Sequence, residues 1–430
     1  MRTFVRNSLS RVASQGAGKV SLFLWTTILA RALNPAGFGA YVYIAAVTGI
    51  IGIVSDYGLG NLTTRDVARR PSEAESYFAH SMALRMLLAL GAYALLLGAV
   101  FALPGFREVK GAAVLFGLTV FTVSAVGGFN AILNAREELQ WSSFMNAMVP
   151  MLTLAAGFAF LGLGWGLTGA AAASVAAGIL VLCAERALFQ SKRIHLRRTL
   201  DYGFMRTLLR KGFPFFLVSI LSTVNVSLDS VLLEALRGKE AVGMYNASFR
   251  LILALMMLPA AIGDAVFPVW SRESGESKGS RPLALGSILW LLFGSGILVA
   301  AALAAAAPGL IRFVFGPAYL PAVPVLRIHS CALVFMYLSA PLMIRLFTAN
   351  RLKSLNLSLG TVVAASALAN LILIPRLGFL GAAWARLSTE ALNFLLLGFF
   401  VRRAEQNGRR EGARTAARDA GFSQAPQWTP

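Results

Sequence analysis

Five ionisable residues sit inside otherwise apolar runs of the chain: Arg85, Asp229, Arg250, Arg386 and Glu390. A charged side chain in hydrocarbon is costly unless it faces a partner, a cavity or water, so such positions point to function more often than to scaffold. The chemistry open to them is ion pairing, proton or cation binding, and anion recognition. Asp229 and Arg250 flank a short turn at 237–241 almost symmetrically. At 1.5 Å per residue both lie about 10 to 14 Å below the same surface, which makes a buried salt bridge between them feasible. Ser219, Ser222, Asn225 and Asp229 follow one another at spacings of three and four, as do Gly243, Asn246 and Arg250. Polar stripes of this kind either glue membrane helices together or line a water-filled path. Arg386 and Glu390 are four residues apart, where an intrahelical pair and a cavity-facing pair are both open. Arg85 stands about two turns from a helix end, so snorkelling to the interface and cavity lining both fit.

Signatures of catalysis are missing from the sequence. It has no Gly-rich phosphate loop, no His-Glu-x-x-His and no nucleophile elbow. His80, His195 and His329 are isolated. Cys183 and Cys331 lie far apart within or beside apolar runs, a pattern that sets up neither a disulfide framework nor a metal site. An enzyme is disfavoured, and no cofactor is called for.

The elements that must hold these residues are membrane helices. With 57% hydrophobic and 13% charged residues in 430, the chain carries more apolar surface than a soluble core could bury. Runs of roughly 20 apolar residues, enough to cross about 30 Å of hydrocarbon, recur along almost its whole length. Twelve are predicted, at 12–33, 37–58, 79–103, 111–134, 142–162, 167–189, 212–236, 241–265, 282–306, 322–347, 353–374 and 379–401. They are rich in Ala, Leu and Gly and lack the period-2 alternation of a membrane barrel. The predicted class is therefore an all-α polytopic membrane protein, with an N-terminal six-helix lobe (1–189), a basic cytoplasmic linker (190–211), a C-terminal six-helix lobe (212–401) and a disordered cytoplasmic tail (402–430).

The net charge of +20 has an explanation in topology. With a cytoplasmic N-terminus, 27 Lys and Arg fall inside, against eight outside: Arg31, Arg107, Lys110, Arg237, Lys239, Arg312, Arg327 and Arg376. That bias places both termini in the cytoplasm, and no nucleic-acid partner is needed to account for the basicity. The linker, with Lys192, Arg193, Arg197, Arg198, Arg206, Arg210 and Lys211, reads as a topology-setting loop or as an amphipathic helix held by anionic lipids.

Two matched signals show one unit used twice. Gly39 and Tyr41 correspond to Gly243 and Tyr245, 204 residues on, and Gly166-Leu-Thr-Gly-Ala-Ala171 corresponds to Gly378-Phe-Leu-Gly-Ala-Ala383, 212 residues on. Six helices per unit is an even number, so the repeats are parallel, related by an axis along the membrane normal. The first offset sets Trp25 opposite Asp229 and Ala46 opposite Arg250. The charges are thus outside the repeated scaffold, which favours a functional or switching role.

The stretch Arg31-Ala-Leu-Asn-Pro-Ala-Gly-Phe-Gly-Ala-Tyr41, Asp56-Tyr-Gly-Leu-Gly60 with Thr64-Arg65, Leu228-Asp229-Ser-Val-Leu-Leu233, and Val242-Gly-Met-Tyr245 with Arg250 resemble the polysaccharide flippases. These are the O-antigen (Wzx-type) branch of the superfamily that also holds multidrug extruders and the lipid II flippase. The resemblance covers nearly the whole chain. It implies V-shaped lobes around a central cavity, rocking between cytoplasmic and outward access in a cell inner membrane. It further implies a polyprenyl-pyrophosphate-linked oligosaccharide as cargo, and membrane lipids, a glycan polymerase and glycosyltransferases of the same pathway as partners. Arg250, Arg85 and Arg31 then become candidate diphosphate contacts. Asn225 and Asn246 join them in the cavity wall, and Asp229 serves as counter-ion. Cargo would compete with Asp229 for Arg250, with a proton or sodium gradient resetting the lobes. A drug or cation antiporter with Asp229 as its cation site is the alternative, followed by a lipid II flippase or a glycan polymerase.

Overall fold

The structure, a computed structural model, describes residues 2–191, 201–273, 285–349 and 351–422. Among the described residues the chain is helical and contains no strand. Its α-helices are α1 (Arg2–Asp56), α2 (Leu59–Arg69), α3 (Ala74–Ala102), α4 (Lys110–Gly117), α5 (Thr119–Ala135), α6 (Leu139–Gly162), α7 (Gly166–Ser191), α8 (Tyr202–Leu255), α9 (Met257–Glu273), α10 (Leu285–Val314), α11 (Val323–Thr348), α12 (Leu352–Leu377) and α13 (Phe379–Phe422).

Nine stretches among the described residues are long and apolar enough to cross a bilayer. Two of them, Ser14–Arg69 and Tyr202–Gly263, run to 56 and 62 residues, far beyond one crossing. Each folds back on itself. The helical path breaks at Asn34 (φ 58°, ψ 173°) in α1 and at Gly238 (φ 81°, ψ 179°) in α8. These two positions are 204 residues apart, so the break belongs to the repeat. Residues 16 apart on a straight helix stand about 24 Å from each other. Trp25 nevertheless reaches Tyr41, with Nε1 donating to Oη at 3.2 Å. Tyr245 reaches Asp229, and Asn246 reaches Ser230.

The two hairpins cross where the sequence repeats. A Cβ on Gly39 would fall 1.7 Å from the Lys239 carbonyl oxygen, and one on Gly243 would fall 2.0 Å from that of Pro35. Pro35 and Lys239 are themselves 204 apart, so a single contact is made twice, once in each direction, as a two-fold relation requires. Main chain meets main chain there, and only glycine leaves room.

Three further ties join the lobes at this turn end of the bundle. Tyr319 Oη donates to the Ala30 carbonyl at 3.0 Å. Lys239 Nζ pairs with Glu108 at 2.7 Å. Arg31 donates through Nε to the Val314 carbonyl at 2.8 Å and through Nη2 to that of Phe313, closing the C-terminus of α10. A cation there also complements the helix dipole.

Three segments differ from expectation. The amphipathic helix α2 follows the second arm of α1, burying Leu59, Leu62 and Val67 and exposing Arg65 and Arg69. Of the expected linker, 192–200 lies outside the described residues, and 202–211 is already the first arm of α8. Asp201 caps that arm, accepting from the Gly203 amide at 2.8 Å. Leu208 of the same stretch is buried against α2, α3, α5 and α7. The expected disordered tail continues α13 as helix to Phe422. Its Ala, Arg, Glu and Gln have high helix propensity, which outweighs its low apolar content.

Candidate functional site

The first lobe encloses a cavity of about 880 Å³ between both arms of α1 and helices α3, α5, α6 and α7. Its wall is mostly apolar, with neutral hydrogen-bonding groups set into it, among them Thr48, Asn130, Ser143, Asn146, Thr153 and Ser174, beside the rings of Trp25, Tyr41 and Phe116. Asn130 Nδ2 donates to Asn146 Oδ1 at 3.0 Å, and the Oδ1 of Asn130 is buried without a partner. The charged members of the wall are Lys19, Asp56 and Arg85.

Arg85 is buried and faces this cavity instead of snorkelling. Its Nη2 stands 2.6 Å from Asp56 Oδ1, and its Nη1 donates to the Ser124 carbonyl at 3.1 Å. The guanidinium fits because α5 carries Gly127 at that level, where a Cβ would lie 3.0 Å from Nη1. Its Nε has no partner. Asp56 is about one third exposed, so the pair meets the cavity through its carboxylate side.

The second lobe fills the equivalent region with charge. Asp229 is buried on the first arm of α8, and four groups converge on it. Tyr245 Oη donates at 2.5 Å, Asn370 Nδ2 at 2.8 Å and Ser366 Oγ at 3.4 Å, while Arg386 Nη1 stands 3.7 Å away. Arg386 also pairs with Glu390 at 3.1 Å, donates to the Asn225 carbonyl at 2.6 Å and lies over the Phe249 ring at 5.1 Å. Next to these, Ser248 Oγ and His329 Nδ1 are 2.6 Å apart. Two buried carboxylates thus share one guanidinium.

The expected Asp229–Arg250 pair does not form. The hairpin turns at Gly238 and resumes its helix at once, so residues facing each other sum to about 475: Asp229 meets Tyr245, and Ser230 meets Asn246. Arg250 lies one turn farther along, and α13 supplies Arg386 in its place. Arg250 itself is half-buried with its Nε unpartnered.

The other expected residues scatter. Asn246 is helix glue, donating to Ser230 Oγ and to the Val242 carbonyl. Asn225 uses its carbonyl on Arg386, leaving its Oδ1 buried without a partner. Arg31 lies outside the cavity, capping α10. Sequence reasoning overlooked Lys19 as a wall residue, and Ser366 and Asn370 altogether, although their four-residue spacing in an apolar helix is a readable signal. It also overlooked Glu185, buried in α7.

Comparisons with known proteins agree with this architecture. Residues 4–274 match the family model described as polysaccharide biosynthesis protein. A putative O-antigen transporter of Shigella dysenteriae is 26% identical over 334 residues, 73% of this chain and 78% of its own length. A putative O-antigen transporter of Escherichia coli K12 is 24% identical over 421 residues, covering 92% and 96%. Among solved structures, an inward-facing multidrug resistance MATE family transporter aligns with a TM-score of 0.73 at 15% identity over 93% of this chain and 99% of its own. The lipid II flippase MurJ, inward closed, gives 0.73 at 15% over 93% and 87%. At that identity the structures share the fold alone.

Proposed function

The chain belongs to the polysaccharide biosynthesis protein family, and on that premise we propose that it moves a polyprenyl-pyrophosphate-linked oligosaccharide from the inner to the outer leaflet by alternating access. The observation that carries this reading is the first-lobe cavity. A mostly apolar wall with a few hydroxyl and amide side chains beside aromatic rings suits an amphipathic lipid-linked sugar, and few fixed charges confine the ligand to one sign. The diphosphate then lies between Lys19 and Arg85 on one side and Arg250 on the other, with Asn225 nearby. Arg31 serves as a clasp at the turn end and not as a cargo contact.

One coupling site lies in the second lobe in this reading. Asp229 and Glu390 around the single Arg386 leave one negative charge for a proton or sodium ion. Occupancy of that charge alters how tightly α8, α12 and α13 hold together, which is the differential contact that shifting two conformations requires. No resident cofactor takes part. The setting is the inner membrane with both termini cytoplasmic, alongside a glycan polymerase and glycosyltransferases.

Deleting the gene and assaying surface glycan together with lipid-linked repeat units tests this function. Loss of glycan with intermediates accumulating in the inner leaflet is the expected outcome. Normal glycan with changed sensitivity to cationic drugs would replace it with an antiporter that binds its cation at Asp229.

A further inference from the structure

Among the described residues, Glu185 is the one buried acid that neither the cavity nor the second-lobe network uses. It lies in α7 with its side chain wholly enclosed, and both carboxyl oxygens lack a hydrogen-bond partner. One turn away, Val181 packs with Val126 of α5 and Met145 of α6. One turn in the other direction, Phe189 packs against Phe78 of α3 and Phe129 of α5. Helices α5 and α6 contain no Asp, Glu, Lys, Arg or His at all.

The remaining neighbours are equally silent. Of the titratable groups on α3, Glu75 is exposed, His80 bonds the Ser76 carbonyl and the Asp201 amide, and Arg85 is paired with Asp56. From α1 come Asp56, in that pair, and the exposed Lys19. On α7 itself Arg186 and Cys183 are exposed. Among the described residues no side chain hydrogen-bonds or pairs with Glu185. A carboxylate there would forfeit its hydration with nothing in return, whereas the neutral acid loses far less.

Position adds a role. Ser174, Gly178 and Glu185 stand at i, i+4 and i+11 on α7, one face of the helix, and the first two line the cavity. Glu185 therefore continues the cavity wall toward the junction between the lobes, under a cover of apolar side chains. Small movements of α7 against α5 and α6 would uncover it.

We propose that Glu185 is a proton-carrying site of the first lobe, separate from the Asp229 network. Its carboxyl holds a proton in the conformation described and transfers it to water when movement of the lobe opens the apolar cover along α7. The second step rests on the alternating-access reading above; the first does not.

Two measurements on the full chain test it. In proteoliposomes, dicyclohexylcarbodiimide, which adds to protonated carboxyls in apolar surroundings, is expected to label the Glu185 peptide at about pH 6, where an ordinary carboxyl is ionised, and to lose that label as the pH is raised. No label at any pH overturns the proposal, and this readout needs neither cargo nor a variant that folds. In cells, surface glycan made by the wild-type chain is expected to fall several-fold when a protonophore collapses the gradient, and Glu185→Gln to remove that response. A Glu185→Gln chain with wild-type glycan and wild-type protonophore sensitivity also overturns it. Failure of the flippase reading would show separately, as normal glycan after gene deletion.

Discussion

The two lobes share a frame and differ in what the frame holds. Offsets of 204 and 212 pair Trp25 with Asp229, Tyr41 with Tyr245, Ser174 with Arg386 and Gly178 with Glu390. In the first lobe Trp25 donates to Tyr41, whose hydroxyl lies 3.5 Å from Ser174, and Gly178 lets Thr122 of α5 pack close at the cavity wall. In the second lobe the same places form the buried chain Tyr245–Asp229–Arg386–Glu390. One hydrogen-bonded corner has thus been specialised twice, as a container in one lobe and as a charge cluster in the other. Duplication keeps the helices; side-chain volume and charge divide the labour.

The shared frame should be the most sensitive part, and equally so in both copies. Gly39→Ala and Gly243→Ala each drive a methyl group into a carbonyl oxygen. Each is expected to cost more than about 4 kcal/mol, at the severe end for single substitutions, seen as loss of folded protein by thermal unfolding in detergent. Tolerance of one but not the other would break the two-fold relation.

Next in size is the charge cluster. Asp229→Ala strips Tyr245, Asn370 and Arg386 of their acceptor and is expected to destabilise by about 3 to 5 kcal/mol, as when one partner of a buried pair is removed. Asp229→Asn keeps the shape and should unfold at a temperature much closer to wild type, while transport loses its dependence on the coupling ion. Unchanged ion dependence would remove the second lobe from coupling.

A container can be filled. Ser174→Arg introduces at the equivalent position the side chain that fills the second lobe. It is expected to abolish glycan export while thermal unfolding stays within about 1 to 3 kcal/mol of wild type, the usual cost of overpacking. Export at the wild-type level would show that cargo does not use this cavity.

The smallest effect is expected at the Lys239–Glu108 tie, outside the membrane-spanning helices. The Lys239 ammonium holds the Glu108 carboxyl below its ordinary range through a hydrogen bond and charge attraction. A lowered folded-state value means that the tie contributes fully above the usual carboxylate value, about 4.3, and is lost as pH falls through the lowered one. Thiol labelling of a cysteine placed beside it should rise only at acid pH, and Glu108→Gln should remove that rise.

Much of this was legible in the residues. The repeat could be read because Gly39 and Gly243 are demanded by main-chain contact, which tolerates no substitute, and Tyr41 and Tyr245 stand two residues beyond them. Buried charge was legible as charge but not as pairing: Asp229 faces Tyr245, and placing the turn about two residues late aligned it with Arg250. Arg386 is 157 residues from Asp229 in sequence, and only the packing of α13 on α8 joins them. Glu185, close to the end of its apolar run and next to Arg186, looks like an interfacial residue until α3, α5 and α6 close over it. The cavity had no signature, because its wall is assembled from scattered residues of several helices, and space is not written in any one of them.

The reciprocal crossing at Gly39 and Gly243 has a consequence for ancestry and assembly. A surface that meets its own rotated copy is the interface of a symmetric homodimer, and here it lies inside one polypeptide. A single six-helix unit carries both sides of that interface, Gly39 with Pro35 and Gly243 with Lys239, so two unlinked units could pair by the same contact. Fusion then adds something symmetry forbids. Once the copies are inherited together yet vary apart, Trp25 can stay in one while Asp229 arises in the other. A heterodimer is built whose stoichiometry is guaranteed by the peptide bond.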